Sequence, residues 1–306
     1  MDETSASVAK ENFSLPKLGG SAPFAFIALL GGNAALASGP LFVRLADVGP
    51  VASGFWRLAL ALPVLMLFAL WERRRSERAG AWRGALVLAA VGGLFFASDL
   101  ASWHIGILQT KMANATLFGN SASLFMAAAT LVAARRLPIR VEALALVLAV
   151  SGAILLMRAS AQGGQAALSG DLLCLLAGIL YTGYMLALQW ARARVGSWQV
   201  LGAATAAGVV PLLLLALALG ETIWPHDWSP ILLLALTSQL IGQGLLIYAL
   251  PHFSALVVGL TLLTQPAISA LIGWAAYGER LGVAELFGAA LVATALVLIR
   301  LPARTI

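Results

Sequence analysis

The chain has 306 residues, of which 61% are hydrophobic and 10% charged, and its formal net charge is +6. Soluble domains carry about 25% charged residues, so this composition excludes a soluble globular protein and indicates a lipid bilayer as the solvent. The positive charge is explained by membrane topology, with no need for a nucleic-acid partner.

The first 21 residues are polar and lack the basic-then-apolar order of a cleaved signal peptide. We expect residues 1–21 to form a disordered cytoplasmic tail. Cys174 is the one cysteine, which excludes an intramolecular disulfide and argues against a metal-thiolate cluster.

Ten apolar runs follow along the chain. A helix that crosses the hydrocarbon needs about 20 mostly apolar residues, because each residue rises about 1.5 Å. The predicted spans, numbered from the first to the tenth, are residues 22–43, 51–71, 84–107, 112–134, 141–158, 170–190, 197–219, 230–250, 254–277 and 283–300.

The chain divides near its midpoint into two similar halves. Residues 159–169 are rich in Gly, Ser, Ala and Gln and are predicted to be a flexible connector between repeats at 22–158 and 170–306. Residues 103–157 align with residues 247–299, and Pro63 of the second span corresponds to Pro211 of the seventh. Because each half holds five spans, the halves are expected to have opposite orientations, as in many transporters.

The distribution of cations predicts the orientation, because cytoplasmic loops retain Lys and Arg. With a cytoplasmic N-terminus, the 19 cations divide into fourteen inside, four outside and Arg57 within the second span. The four outside are Arg44, Lys111, Arg158 and Arg280, and ten spans return the C-terminus to the cytoplasm.

Residues 248–299 resemble the ninth and tenth helices of the drug/metabolite transporter superfamily, in its ten-helix EamA-type exporter branch. The features that carry the resemblance are Pro266, the run Gly278-Glu279-Arg280-Leu281 and Glu285. Residues 33–45 and Arg57 look similar in the first half, and the whole chain looks most like bacterial exporters of aromatic and hydrophobic amino acids. The resemblance implies a location in the bacterial inner membrane and a basket of spans one, three, four, six, eight and nine around a central cavity, with spans five and ten outside.

Polar side chains within these spans are expected to face the bundle interior, since lipid offers them no partner. The candidate substrate-binding residues are Asn33, Asp99, Trp103, Asn114, Asn120, Tyr181, Tyr184, Gln239, Gln243 and Gln265. The glutamines could instead join helices, the tyrosines could be packing residues and Trp103 could anchor the interface. Pro40 and Pro266 are candidate kinks for gating.

Asp99 is the least expected residue of these spans. An acidic residue in mid-membrane costs roughly 2.5 to 3.5 kcal/mol on insertion scales, so it needs a cation, a proton or water. Arg57 is predicted at a similar depth in the second span. Three readings remain open for Asp99: a structural ion pair with Arg57, a cavity group that binds a substrate ammonium or a proton, and snorkelling to the interface.

The sequence therefore predicts an all-α integral membrane protein that exports amino acids, with aromatic or hydrophobic ones favoured, by alternating access. Export of drugs, purines or other small hydrophobic metabolites is the alternative, since the same lining would accept them. The expected partners are a small-molecule substrate and the bilayer, with no obligatory protein partner. No nucleophile, metal cluster or acid–base pair stands out within the spans, so we expect no enzymatic activity, no cofactor and no metal.

Overall fold

A computed structural model describes residues 22–75, 82–133, 135, 137–162, 164–192, 194–249, 252–253, 261–262 and 264–299. The predicted disordered tail at residues 1–21 lies outside this part of the chain. Eight of the described helices are long and apolar enough to cross a membrane, and a shorter apolar helix follows at Val283–Leu298.

The first five spans have the following bounds. They are Ala22–Ala37 with Gly39–Leu45, Pro50–Arg75, Trp82–Ile107, Met112–Gly119 with Ala122–Ala133, and Arg140–Gln162. The second five are Gln165–Arg192, Ser197–Ala218, the eighth span in three parts (Ser229–Leu234, the π-helix Ala235–Gly242 and Gln243–Ala249), Thr264–Tyr277 as the described part of the ninth, and Val283–Leu298.

The predicted flexible connector at residues 159–169 is wrong in most of its length. The fifth span stays helical to Gln162 and the sixth begins at Gln165, which leaves residues 163 and 164 between the two helices. Ala and Gln are good helix formers, and they extend both helices. Gly164 has φ +110°, a conformation that glycine adopts readily, and the break falls there.

The loops gather at two opposite ends of the bundle. Loops that follow odd-numbered spans meet at one end, which we call the odd-loop end: Arg44 Nη2 donates to the Thr110 carbonyl, and Gly49 N donates to the Thr222 carbonyl. At the other end, the even-loop end, the carboxylate of Glu72 contacts the start of the seventh span. Consecutive spans therefore alternate in direction, and five spans per half place the halves in opposite orientations.

The packing of the spans follows the same symmetry. The third span packs along the sixth and the first along the eighth, the second packs along the seventh, and the fourth packs on the ninth. The repeat relates each span to the span five positions later. It therefore relates the third–sixth pair to the eighth–first pair, and it relates the second–seventh and fourth–ninth pairs to themselves. The predicted fold of two inverted five-helix repeats is confirmed.

The fifth and tenth spans form a pair at the periphery. The fifth span is the least buried of the eight long helices, and its main neighbour is the tenth. A Cβ on Gly152 would come within 2.7 Å of the Gly288 carbonyl oxygen, so glycine allows the two backbones to touch. This position outside the other spans agrees with the predicted arrangement.

Two glutamates bind the starts of the second and seventh spans reciprocally. Glu221, after the seventh span, accepts hydrogen bonds from Val51 N and Ala52 N at 3.2 and 2.8 Å. Glu72, in the last turn of the second span, accepts from Trp198 N and Gln199 N at 2.9 and 3.1 Å. Each carboxylate satisfies backbone donors at a helix N-terminus, where negative charge is favourable.

Replacing Glu221 by alanine is expected to lower the free energy of unfolding by about 0.5–2 kcal/mol, the usual cost of a lost N-terminal cap. Thermal unfolding of the purified protein in detergent measures the change. Glu72→Ala should cost a similar amount, and the two losses should add, because the sites lie at opposite ends of the bundle. The exposed Gln162→Ala is the control. A loss no larger than that of this control would contradict the capping role.

Candidate functional site

Six polar or charged side chains from four spans meet inside the bundle, and we call them the central cluster. They come from the second, third, sixth and eighth spans, and all were singled out in the sequence: Arg57, Asp99, Tyr181, Tyr184, Gln239 and Gln243. Arg57 shows that the second span reaches the interior, although the resemblance placed only spans one, three, four, six, eight and nine around the cavity.

Arg57 is the centre of this cluster. Its side chain is 3% exposed, and its Nε donates to Gln239 Oε1 at 3.1 Å. Asp99 is also buried and lies near enough for electrostatic attraction to Arg57. However, the direct ion pairs among the described residues lie elsewhere, so Arg57 and Asp99 do not make the close contact of an ion pair.

Aromatic rings cover one side of the central cluster. Phe96 stacks on Tyr184 with 4.6 Å between the ring centroids and 17° between the planes. Tyr181 lies 5.3 Å from Tyr184, and its hydroxyl is close to the Gln243 side chain. Flat apolar faces therefore lie beside two opposite charges, which is an arrangement that suits an amphipathic ligand.

Three predicted amides form a separate chain of hydrogen bonds between the first, fourth and ninth spans. Gln265 Nε2 donates to Asn33 Oδ1 at 2.8 Å, and Asn120 Nδ2 reaches Gln265 Oε1 at 3.4 Å. Asn33 and Gln265 are both buried. We call this group the amide chain, and it joins three of the spans that the resemblance placed around the cavity.

The eighth span changes to a π-helix between Ala235 and Gly242, which contains Ser238 and Gln239. Such wide turns are rare and occur often at functional sites. Ser238 Oγ, Gln239 Nε2 and the Asn33 Nδ2 of the facing first span are buried and have no hydrogen-bond partner in the described part of the chain. Unpaired buried donors cost free energy, so these three atoms are well suited to a polar ligand.

Asn114 and Trp103 have other surroundings. Asn114 Nδ2 donates to Ser160 Oγ at 3.2 Å and lies 3.5 Å from Asp171 Oδ1, nearer the odd-loop end. Asn114 therefore belongs to a different polar group from the central cluster. It lies in the first turn of the fourth span, and its partners come from the fifth and sixth spans. Trp103 donates from Nε1 to the Ala115 carbonyl at 3.1 Å and packs among apolar residues.

The two candidate kink residues lie in different settings. Pro40 follows a break at Ser38, whose hydroxyl donates to the Ala35 carbonyl at 2.7 Å. Pro266 lies within the helical part of the ninth span, because residues 261–262 and Thr264–Tyr277 are both helical, while residues 254–260 and 263 lie outside the described part. Proline is tolerated in a first turn, as at Pro40, where its missing N–H would have no helical acceptor.

Ion pairs that the sequence did not reveal join the spans at the odd-loop end. Arg44 Nη1 contacts Glu279 Oε1 at 2.6 Å, and Glu279 Oε2 accepts from Met112 N. Lys111 Nζ contacts Glu285 at 2.6 Å. In the sequence these cations served only as topology signals, because no local pattern links charges that are far apart in the chain.

Comparisons with known proteins identify the family. The model of the EamA-like transporter family matches residues 23–158 and again residues 168–301. A solved structure described as "Crystal structure of protein" has a TM-score of 0.61 and 18% identity, and the match covers 93% of this chain and 97% of the other. At this identity the similarity concerns the fold alone. No curated protein sequence matches. Since the two family matches cover most of the chain, one in each half, the protein belongs to the EamA-like transporter family.

Proposed function

We propose that the protein exports amino acids across a bacterial inner membrane by alternating access, and that aromatic or hydrophobic amino acids are its preferred substrates. The observation that carries the proposal is that Arg57 and Asp99, residue types of opposite charge, are both buried in the central cluster and do not form a direct ion pair. A zwitterion has one group for each of these charges.

The chemistry of binding follows from the neighbours of the two charges. Asp99 would accept hydrogen bonds from the substrate ammonium, and Arg57 would donate to its carboxylate. Phe96, Tyr181 and Tyr184 would pack against an apolar or aromatic side chain. The free donors of Gln239 and Ser238 add polar groups that a substrate could satisfy.

Alternating access is supported by the symmetry of the fold. Two inverted repeats can exchange nearly equivalent conformations around a site near the middle of the membrane. Gln239, Asn33 and Tyr184 are almost completely buried, so this conformation is closed around the proposed site. The excess of Lys and Arg in the even loops supports a cytoplasmic even-loop end with both termini inside, and an odd-loop end that faces outward.

Counterflow tests this proposal. Purified protein in liposomes loaded with unlabelled phenylalanine is expected to accumulate labelled phenylalanine, and Asp99→Asn should reduce this uptake about 10-fold or more, since a hydrogen bond to a charged group contributes about 1.5–3 kcal/mol. The exposed Asp227→Asn is the matched control. Counterflow of purines or hydrophobic drugs with no amino acid active would overturn the amino-acid proposal in favour of the other substrate class.

A further inference from the structure

A second group of polar side chains lies near the odd-loop end, apart from the central cluster, and we call it the Asp171 cluster. Asp171 of the sixth span is fully buried, and its Oδ1 accepts a hydrogen bond from Thr110 Oγ1. Asn114 of the fourth span and Ser160 of the fifth also place donors at this carboxyl group. Three other segments of the chain thus converge on this acid.

One oxygen of the Asp171 carboxyl group has no hydrogen-bond donor from the residues that the structure describes. Asp171 Oδ2 is buried and has no hydrogen-bond partner in the described part of the chain. Among the described residues, the charged group that acts electrostatically on Asp171 is Glu285, which is also an acid. The nearby cation Lys111 donates hydrogen bonds to Glu285 and to the Arg280 carbonyl. Cys174, one turn further along the sixth span, is the other titratable side chain that faces it.

This setting differs from that of Asp99. Asp99 has the cation Arg57 nearby, whereas the described residues around Asp171 offer only neutral donors and a second acid. A buried carboxylate without an opposite charge is expensive in a membrane protein, and it is stabilised by a proton or a bound cation. The unpartnered Oδ2 is the atom that would take it.

The backbones around this acid are held unusually close. A Cβ on Gly170 would come within 2.8 Å of Gln109 Cβ, and one on Gly106 would come within 2.9 Å of the Gly170 carbonyl oxygen. Only glycine fits at these two contacts, and they bring the end of the third span against the sixth. These contacts hold Thr110 beside Asp171, so the packing of the backbones fixes the geometry of the cluster.

The Asp171 cluster lies next to a cleft at the odd-loop end. The cleft has a volume of about 1050 Å³, and Thr110 and Ser160 are among its lining residues together with Lys111, Arg280 and Glu285. Two of the donors to Asp171 therefore separate the buried acid from the cleft. Water that enters the cleft would reach these side chains, which lie beside the carboxyl group.

We propose that the Asp171 carboxyl group is a proton-binding site that is loaded from the odd-loop cleft. A hydronium ion in the cleft gives its proton to Oδ2 and leaves water, and the carboxylate becomes a neutral acid. In the reverse step the hydroxyls of Thr110 and Ser160 and the Asn114 amide stabilise the carboxylate that remains. On the proposed export function, this site would couple proton entry to substrate exit.

Infrared difference spectroscopy of the full-length protein in liposomes tests the site without any substrate. A titration in pH is expected to reveal a carboxylic-acid C=O band that is lost in Asp171→Asn. Asp47→Asn should leave the band unchanged. Asp47 lies in a loop, and a hydrogen bond from the Asp227 backbone N–H lowers its pKa, so its carboxyl group should take up a proton only at a lower pH.

The variant Thr110→Val provides a second test in case Asp171→Asn does not fold. It keeps the acid but removes one donor, so the band should remain and change its frequency. A band that persists in Asp171→Asn, or one that Thr110→Val leaves unchanged, would overturn the proposal. Removal of the wild-type band by added NaCl at constant pH would also overturn it, because the site would then bind sodium.

A transport measurement tests the coupling separately. In liposomes that pass the phenylalanine counterflow test, an inward proton gradient is expected to accelerate export about 10-fold, and Asp171→Asn should keep counterflow but lose this acceleration. Equal acceleration in both proteins would contradict the coupling. Failure of counterflow in the wild type would count against the proposed function, while the infrared result would still decide the proton site.

Discussion

Replacing Arg57 by methionine is expected to lower the free energy of unfolding by about 1.5–3 kcal/mol, the usual contribution of a buried hydrogen bond made by a charged group. The variant leaves Asp99 in the interior without its cation, and Gln239 Oε1 loses the Nε donor at 3.1 Å. Thermal unfolding of the purified protein in detergent measures the loss.

The double variant Arg57→Met/Asp99→Asn shows whether the two charges act together. It should be more stable than Arg57→Met by about 1 kcal/mol or more, because no charge is then left unpaired in the interior. Arg158→Met, an exposed arginine of the fifth span, is the control for loss of positive charge. Strictly additive losses at Arg57 and Asp99 would show that the two charges are not coupled.

Replacing Arg44 by glutamine is expected to open the odd-loop end. The Arg44 guanidinium donates to Glu279, to the Ile107 carbonyl at 3.1 Å and to the Thr110 carbonyl, and it lies 4.9 Å from the Tyr277 ring centroid. It thus connects the first, third and ninth spans at this end. Charge-assisted hydrogen bonds contribute about 1.5–3 kcal/mol, so their loss should raise the open population about 10-fold or more.

A buried cysteine reports this opening. Ser269 of the ninth span is fully buried and donates to the Ala37 carbonyl at 2.9 Å, and Ser269→Cys can be placed in a Cys174→Ala background. A membrane-impermeant thiol reagent should label it about 10-fold faster in Arg44→Gln. The exposed neighbour Arg280→Gln should leave the rate unchanged. Equal labelling in all three proteins would rule out Arg44 as part of the closure.

The prediction of the connector failed for a local reason. The composition of residues 159–169 suggested flexibility, but Ala and Gln also favour helices, and the neighbouring spans extend through most of the segment. Within the described part of this segment, the backbone leaves the helical conformation at Gly164. The prediction from composition gave too much weight to the glycines and serines of this segment and too little to its alanines and glutamines.

The candidate site was predicted in part. Burial of polar residues inside spans follows from the cost of placing them in lipid, and Asn33, Gln239 and Gln243 are indeed buried. Their grouping did not follow: Asn114 joins the Asp171 cluster, and the amide chain is separate from the central cluster. Asp171 itself was not singled out, because its place near a span end resembled an ordinary interfacial acid.

By itself, the sequence determined the number of spans, their alternation and the inverted repeat, because hydrophobic length and charge distribution are local properties that the bilayer selects. The tertiary structure decided which polar groups meet. Arg44 and Glu279 are 235 residues apart, and Arg57 and Gln239 are 182 apart. Such pairs depend on the packing of whole helices against one another, and no pattern within one helix encodes them.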